Sequence, residues 1–153
     1  MFTVENMKNE LENFLIGSKL GFGIHRDVFK YSLDQSLVVK IANSPEGRQA
    51  NILEFFIYDE LKETEFKKWF APCIEVSEGG KYLIQKKIEF GRVKNYPTKI
   101  PAFFTDLKED NYGWIGKQFV CCDYAGTVLT RCISRKMKNH KWFNCSIFFN
   151  NSV

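Results

Sequence analysis

The hydrophobic pattern of the chain changes from a helical to a strand-like period at about Ser18, and this change restricts the fold classes open to it. Upstream, residues 3–15 are rich in acids and amides and carry apolar residues at helical spacing, which predicts an amphipathic helix. Those apolar residues are Met7, Leu11, Phe14 and Leu15. Downstream, the runs SKLGFG, DVFKYSL and SLVVKIA predict three short strands, with a turn at Asp34-Gln35.

A second helix and a hairpin follow the three strands. Ser44 and Pro45 favour a helix start, because serine caps helices and proline suits the first turn. A broad apolar face then predicts a helix from about Pro45 into the sixties. Its residues are Ile52, Phe55, Phe56 and Leu61. The segment CIEVSEGGKYLIQKKIEF predicts two strands around Gly79-Gly80. This order predicts an α+β fold, an antiparallel sheet of about five strands with one helix packed on it.

The rest of the chain has weaker patterns. Residues 91–103 contain Pro97 and Pro101 and no strong element, so we expect a connector there. The segment NYGWIGKQFVCCDYA predicts a second hairpin that turns near Gly116-Lys117. After Gly126 the pattern is compatible with a short basic helix or with irregular structure.

Size and composition favour one globular domain over residues 1–153. The 15 phenylalanines supply a sizeable core, and no apolar run approaches the length of a membrane span. The N-terminus is acidic where a secretory signal would be basic, so we expect a cytoplasmic protein without membrane contact. The cysteines lack the paired spacing of a zinc site or a disulfide framework, which favours reduced structural thiols. They are Cys73, Cys121, Cys122, Cys132 and Cys145.

The net charge of +4 is spread over the chain except for a basic run at residues 131–141. Such runs are usually solvated surfaces, and nucleic-acid binding through this one is the weaker interpretation. The basic residues concerned are Arg131, Arg135, Lys136, Lys138 and Lys141.

Two features of the first predicted strands suggest phosphate binding. Gly21 and Gly23 lie near the first strand turn, where the absence of a Cβ lets backbone N–H groups approach a phosphate, although such a pair is often only a turn. Lys40 lies in the apolar run LVVKIA, and it either points to solvent or is buried with a partner. Glu54, between apolar residues of the next helix, is the candidate partner.

A second group of polar residues lies in the segment that starts at Thr105. Asp106 and Asn111 precede the second hairpin and Asp123 follows it. Phosphoryl transfer needs one carboxylate that accepts a proton from a hydroxyl, and an amide and a carboxylate that hold Mg²⁺; these residues would meet that need. Lys108 could contact the γ-phosphate. Each acid taken alone is more often a turn residue or a cap.

Read in order, LGFG, VVK, an acid on the next helix, DLKEDN and DYA resemble the signature set of the protein kinases. The resemblance covers about residues 17–126, and its most specific part is DLKEDN, a form of the catalytic loop typical of serine/threonine kinases. It implies a kinase N-lobe over about residues 17–90 and a reduced C-lobe over about residues 91–126. The helix at 3–15 and a basic, aromatic tail at 127–153 flank them.

The resemblance also implies roles for individual residues. Asp106 becomes the catalytic aspartate, assisted by Lys108 and Lys40, while Asn111 and Asp123 become the Mg²⁺ ligands. The implied ATP-binding residues are Gly21, Gly23, Arg26, Val28, Lys40, Glu54, Gln85, Lys86, Lys87 and Ile88. Of these, the run 85–88 is expected to meet adenine through its backbone.

The sequence departs from the kinase pattern at several positions. Arg26 replaces the third glycine of the nucleotide loop, which would either stiffen that loop or let Arg26 contact a phosphate. Phe104 and Thr105 replace the His-Arg that precedes the catalytic aspartate. Tyr124 and Ala125 follow Asp123 in place of Phe-Gly. The two helices that usually precede the catalytic loop and the helical lobe after it have no room, so the resemblance is to a minimal, phage-type kinase.

The sequence thus predicts an ATP- and Mg²⁺-dependent kinase that phosphorylates Ser or Thr hydroxyls of a partner protein or of itself, in the host cytoplasm if phage-encoded. The alternative is a non-catalytic nucleotide-binding module that docks on another protein. A second copy of the chain or the target could complete the missing docking surface. The candidate contact residues for this are Phe143, Ile147, Phe148 and Phe149, although packing on their own domain is the simpler role.

Overall fold

The structure, a computed structural model, describes residues 3–127 and 133–142. The chain forms two compact units, one of Met1–Asp59 and Pro72–Lys87 and one of Glu60–Ala71 and Ile88–Val153. Several residues named above lie outside the described residues. They are Arg131, Cys132, Phe143, Cys145, Ile147, Phe148 and Phe149.

The first unit is built on one antiparallel sheet. Helix α1 and strands β1 to β3 come first, followed by helix α2 and strands β4 and β5. Their bounds are α1 Val4–Leu15, β1 Ile16–Phe22, β2 Arg26–Tyr31, β3 Leu37–Ala42, α2 Pro45–Leu61, β4 Cys73–Val76 and β5 Tyr82–Lys86. The sheet has five strands in the order β1-β2-β3-β5-β4. The predicted α+β fold and the order of its elements are confirmed.

Strand register places Lys40 in the middle of the sheet. Lys40 lies opposite Val28 of β2 and Leu83 of β5, so both neighbouring strands cover its backbone. Because side chains alternate along a strand, Lys40 shares a face with Val38 and Ala42. Lys40 is only 5% exposed, which excludes the interpretation that it points to solvent.

Helix α2 starts in close contact with the turn between β1 and β2. Ser44 Oγ accepts from the Gly47 N–H at 3.1 Å, which confirms the predicted cap. The Asn43 N–H donates to the His25 carbonyl at 3.0 Å. A Cβ added to Gly47 would lie 2.1 Å from that carbonyl oxygen and 3.2 Å from Ala42 Cβ. Glycine is therefore required here for close packing.

The described residues of the second unit contain two small two-stranded sheets and three short 3-10 helices. The strands are β6 Lys99–Pro101, β7 Tyr112–Ile115, β8 Gln118–Cys121 and β9 Met137–Asn139, and the 3-10 helices are Glu65–Trp69, Val93–Asn95 and Glu109–Asn111. The hairpin β7–β8 turns at Gly116, which has a positive φ of 59°, so the predicted turn is confirmed.

Two segments differ from their predictions. The connector at 91–103 contains β6, and the tail contains β9, which pairs with β6; the other described tail residues, 133–136 and 140–142, are irregular, one of the two predicted alternatives. Each strand is only three residues long, so neither has a readable sequence period.

An aromatic cluster forms the core around β7 and β8. The Tyr112 and Phe119 rings stack at 5.6 Å, and Trp142 packs edge-on against both, at 4.8 and 5.7 Å. Trp142 Nε1 also donates to the Pro97 carbonyl at 2.8 Å. Trp142, three residues after β9, therefore belongs to the core of this unit.

Cys73, Cys121 and Cys122 are present as thiols, as predicted. Among the described residues, no helix combines the length and the hydrophobicity needed to cross a bilayer.

Replacing Gly47 by alanine should destabilise the protein by roughly 1–3 kcal/mol, because the new methyl group collides with the His25 carbonyl. The sign is informative, since glycine-to-alanine changes in open helix positions normally stabilise a helix by up to about 1 kcal/mol. Urea unfolding measures the difference. Gln49→Ala, at an exposed position of the same helix, is the control, and a stabilised Gly47→Ala variant would contradict the observed contact.

Trp142→Ala should lower the free energy of unfolding by roughly 2–3 kcal/mol, because it removes a half-buried ring from the aromatic cluster. Trp142→Phe should cost less, since it keeps a ring and loses the hydrogen bond to Pro97. Exposed Lys141→Ala is the matched control for denaturant unfolding. Equal stability of Trp142→Ala and this control would show that Trp142 does not pack as described.

Candidate active site

The first unit contains a buried ion pair between its central strand and helix α2. Lys40 Nζ donates to Glu54 Oε2 at 2.7 Å, and Glu54 is 0% exposed. Burying a charge is strongly unfavourable unless a partner compensates it. The structure thus pairs the two residues that the sequence analysis proposed as partners.

Arg26 contacts the same carboxylate from the start of β2. Its Nη2 donates to Glu54 Oε1 at 2.8 Å, and its Nη1 donates to Asn51 Oδ1 at 3.2 Å. The sequence analysis placed Arg26 in a phosphate-covering loop and did not foresee these contacts. They depend on strand register, which brings Arg26 opposite Ala42 on the face of the sheet that carries Lys40.

Asn51 is a functional-site candidate that the sequence analysis missed. It is 0% exposed, and its Nδ2 donates to the carbonyls of Gly80 at 2.9 Å and Lys40 at 3.3 Å. A signal was available, because Asn51 and Glu54 are three residues apart and so share one face of α2. A buried amide that bonds two backbone segments and a guanidinium fixes the local position of the helix on the sheet.

The two glycines of the nucleotide-loop prediction differ in their surroundings. Gly21 lies within β1 opposite Val28, and a Cβ built on it would meet no atom within 4 Å. Gly23 lies in the turn, and its N–H donates to the Arg26 carbonyl at 2.8 Å. Neither has a positive φ, so the backbone conformation does not require glycine at either position.

The predicted adenine-binding run already uses part of its backbone. The N–H of Lys86 donates to the Pro72 carbonyl and the N–H of Lys87 to the Ser36 carbonyl, both at 2.8 Å. Gln85 is buried, with its amide 3.6 Å from Cys73 Sγ. In the second unit, the Ile88 side chain packs in an apolar cluster.

The four polar residues predicted in the second unit lie at the open end of the hairpin β7–β8. The Asn111 carbonyl accepts from the Cys122 N–H at 2.8 Å, just before β7 and just after β8. Asp123 follows directly. The Tyr112 hydroxyl donates to the Asp106 carbonyl at 2.9 Å, which ties the preceding loop to the same end. Lys108 belongs to this loop. The Asp106, Lys108 and Asp123 side chains are exposed.

Asn111 is buried, and its Nδ2 has no hydrogen-bond partner among the described residues. Asn111 and Asp123 offer one amide and one carboxylate oxygen on adjoining segments. Within residues 3–127 and 133–142 no three His, Cys, Asp or Glu side chains cluster as a metal site. Mg²⁺ is commonly bound by one or two carboxylates, with phosphate and water oxygens completing the octahedron, so this oxygen-donor pair fits it.

The residues that replace the kinase pattern beside the acids are packed aromatics. Phe104 is 2% exposed and packs against Phe70 at 5.3 Å. The Tyr124 hydroxyl donates to the Ala71 carbonyl at 2.8 Å, a hydrogen bond that phenylalanine could not form. These side chains anchor the chain beside Asp106 and Asp123 in the aromatic core.

The sequence matches no protein-family model and no curated protein. Among solved structures, it is similar to the streptomycin-ATP-APH(2")-IIa ternary complex, with 17% identity and a TM-score of 0.44. The similarity covers 63% of this chain and 34% of that chain, so this chain spans about a third of that protein.

Tyr96, in the second unit, is buried, and its hydroxyl donates to the Tyr112 carbonyl at 2.6 Å. Burial raises the pKa of Tyr96 from 10.0 to about 12, and the charges of Cys122, Glu109 and Asp110 act in the same direction. Burial likewise raises the pKa of Tyr112.

The raised pKa of Tyr96 predicts a loss of stability at alkaline pH. Between about pH 10 and about pH 12 the unfolded tyrosine is ionised while the folded one keeps its proton, so the free energy of unfolding falls as pH rises. Tyr96→Phe should reduce this slope by up to about 1.4 kcal/mol per pH unit. Urea unfolding over this range measures it, and below about pH 10 the two proteins should differ by a constant amount. Parallel curves above about pH 10 would contradict the assignment.

Proposed function

We propose that the protein binds ATP with Mg²⁺ and transfers the γ-phosphoryl group to a Ser or Thr hydroxyl, on a partner protein or on itself. The observation that carries the proposal is the buried ion pair between Lys40 and Glu54, at 2.7 Å. A buried ion pair is often no more stable than apolar residues of the same volume. Its buried position on the central strand of the sheet therefore favours a functional role over a purely structural one.

In this proposal Lys40 binds phosphate oxygens of the nucleotide and Glu54 keeps its ammonium in place. Gly21 supports phosphate binding, because neither its conformation nor its surroundings require glycine, so the open space beside it remains for a ligand.

Adenine would form hydrogen bonds with backbone groups of residues 85–88 that are not already bonded within the chain. Since the Lys86 and Lys87 N–H groups are bonded, the Lys87 carbonyl and the Ile88 N–H are the candidate groups.

Residues of the second unit would carry out the transfer. The Asp106 carboxylate orients the acceptor hydroxyl and takes its proton as the hydroxyl oxygen bonds to the γ-phosphorus. The bond from that phosphorus to the β,γ-bridging oxygen breaks, and ADP leaves. Lys108 offsets charge on the γ-phosphoryl oxygens. Asn111 and Asp123 would hold Mg²⁺, which offsets phosphate charge when bound. The preference for Ser or Thr rests on the DLKEDN form of the loop.

Phosphoryl transfer can be tested with Mg²⁺ and γ-labelled ATP, alone and with a generic basic protein substrate. The wild type should transfer label, and Asp106→Asn should transfer at least about 100-fold more slowly while it still binds ATP, because only the proton acceptor is lost. Lys40→Met should weaken ATP binding itself.

Asp110→Asn is the matched control for this test. Asp110 is an exposed acid in the same loop with no role in the proposed reaction, so its loss should leave turnover unchanged. Full turnover in Asp106→Asn would refute the role of that residue. ATP binding without transfer by the wild type would favour the alternative, a nucleotide-binding module that docks on a partner protein.

A further inference from the structure

Each oxygen of the Glu54 carboxylate accepts a hydrogen bond from a different cation. Arg26 Nη2 lies 2.8 Å from Oε1, and Lys40 Nζ lies 2.7 Å from Oε2. The second nitrogen of the guanidinium fork donates to Asn51, on the same face of α2. Helix α2 therefore supplies the acceptor of each of these two Arg26 hydrogen bonds.

The orientation of Arg26 follows from the sheet. Arg26 begins β2 and lies opposite Ala42, two residues along each strand from the pair Val28 and Lys40. This spacing puts both cations on one face. The Arg26 side chain is 10% exposed, unlike a solvated surface arginine. A planar guanidinium has its donors in a rigid fork, so two contacts fix its direction more firmly than they would fix a lysine.

We propose that Arg26 is a positioning residue for nucleotide binding and acts through Glu54. The terminal torsion of glutamate is broad, so a carboxylate held at one oxygen only can rotate. With Arg26 on Oε1, the other oxygen stays directed at the Lys40 ammonium. When the Lys40 ammonium also interacts with a phosphate, Arg26 continues to compensate the charge of the buried Glu54 carboxylate.

This inference rests on the proposed function, because it assigns Arg26 to the same ATP site. It differs from the expectation drawn from sequence, in which Arg26 replaces a loop glycine and contacts a phosphate directly. The two roles predict different coupling between Arg26 and Glu54. A residue that acts through Glu54 loses its effect once Glu54 is changed, whereas a direct phosphate ligand keeps it.

A double-mutant cycle on ATP affinity separates the two roles. Calorimetry with ATP and Mg²⁺ would compare the wild type, Arg26→Gln, Glu54→Gln and the double variant. Arg26→Gln should weaken binding about tenfold, the size expected for one charge-assisted hydrogen bond. In the Glu54→Gln background the same change should have less than about a twofold effect. Equal losses in both backgrounds would overturn the inference.

Further variants separate positioning from general destabilisation. Arg26→Lys should recover part of the affinity, since an ammonium can reach one acceptor but not both, and millimolar guanidinium should partly restore Arg26→Gly. Arg48→Gln is the matched control, because Arg48 is an exposed arginine of α2 whose side chain donates to the Gly79 carbonyl at 3.2 Å. Its ATP affinity should equal that of the wild type. Thermal unfolding without nucleotide checks that each variant is folded.

The outcomes also distinguish this inference from the proposed function. A wild type that binds no ATP overturns both. If the wild type binds ATP but the affinity losses of the Arg26 and Glu54 variants are independent, only the positioning role is overturned. The same holds if Arg26→Lys and guanidinium-treated Arg26→Gly recover no ATP affinity. Coupled losses with recovery support both.

Discussion

The Glu54 carboxylate is the constraint on which the first unit depends. It is fully buried, so its charge must be compensated inside the protein, and it lies between cations from two adjacent strands. Removing one member of such a buried pair typically costs about 3–5 kcal/mol, because a charge is left without compensation. The rotation and height of α2 over the sheet are therefore restricted. Asn51 restricts them further through its bonds to backbone carbonyls.

The close approach of Gly47 to the His25 carbonyl also restricts the position of α2, at the N-terminal end of the helix. The turn between β1 and β2 is held at the start of α2, while Arg26, the first residue after that turn, is held by Glu54 and Asn51. A loop proposed to cover a nucleotide is thus anchored on its β2 side, at His25 and Arg26, by the start and the buried face of α2. This anchoring offers a physical reason why arginine can stand where the kinase pattern has a third glycine.

The second unit positions its polar loop by aromatic packing. Among the described residues after Leu61, the only helices are short 3-10 turns, so no long helix supports the loop. Instead, the Tyr112 hydroxyl bonds the Asp106 carbonyl of the loop, the Tyr124 hydroxyl next to Asp123 bonds the Ala71 carbonyl, and Phe104 packs in the core. Buried aromatic side chains contribute a large apolar area together with a directed hydroxyl, which suits them to fixing a short loop. The departures from the kinase pattern at positions 104 and 124 therefore have structural explanations.

The sequence by itself determined the α+β class, the order of the elements in the first unit and the turns at Asp34 and Gly116, and it named Glu54 as the candidate partner of Lys40. These follow from local periods, turn residues and the rarity of charge in apolar segments, all of which are properties of neighbouring residues. Only the tertiary structure decided that Arg26 and Asn51 join that pair, because strand register determines which side chains share a face. It also decided that β6 pairs with β9 and that Trp142 enters the core. Strands of three residues have no period to read, and their stability comes from partners distant in the chain.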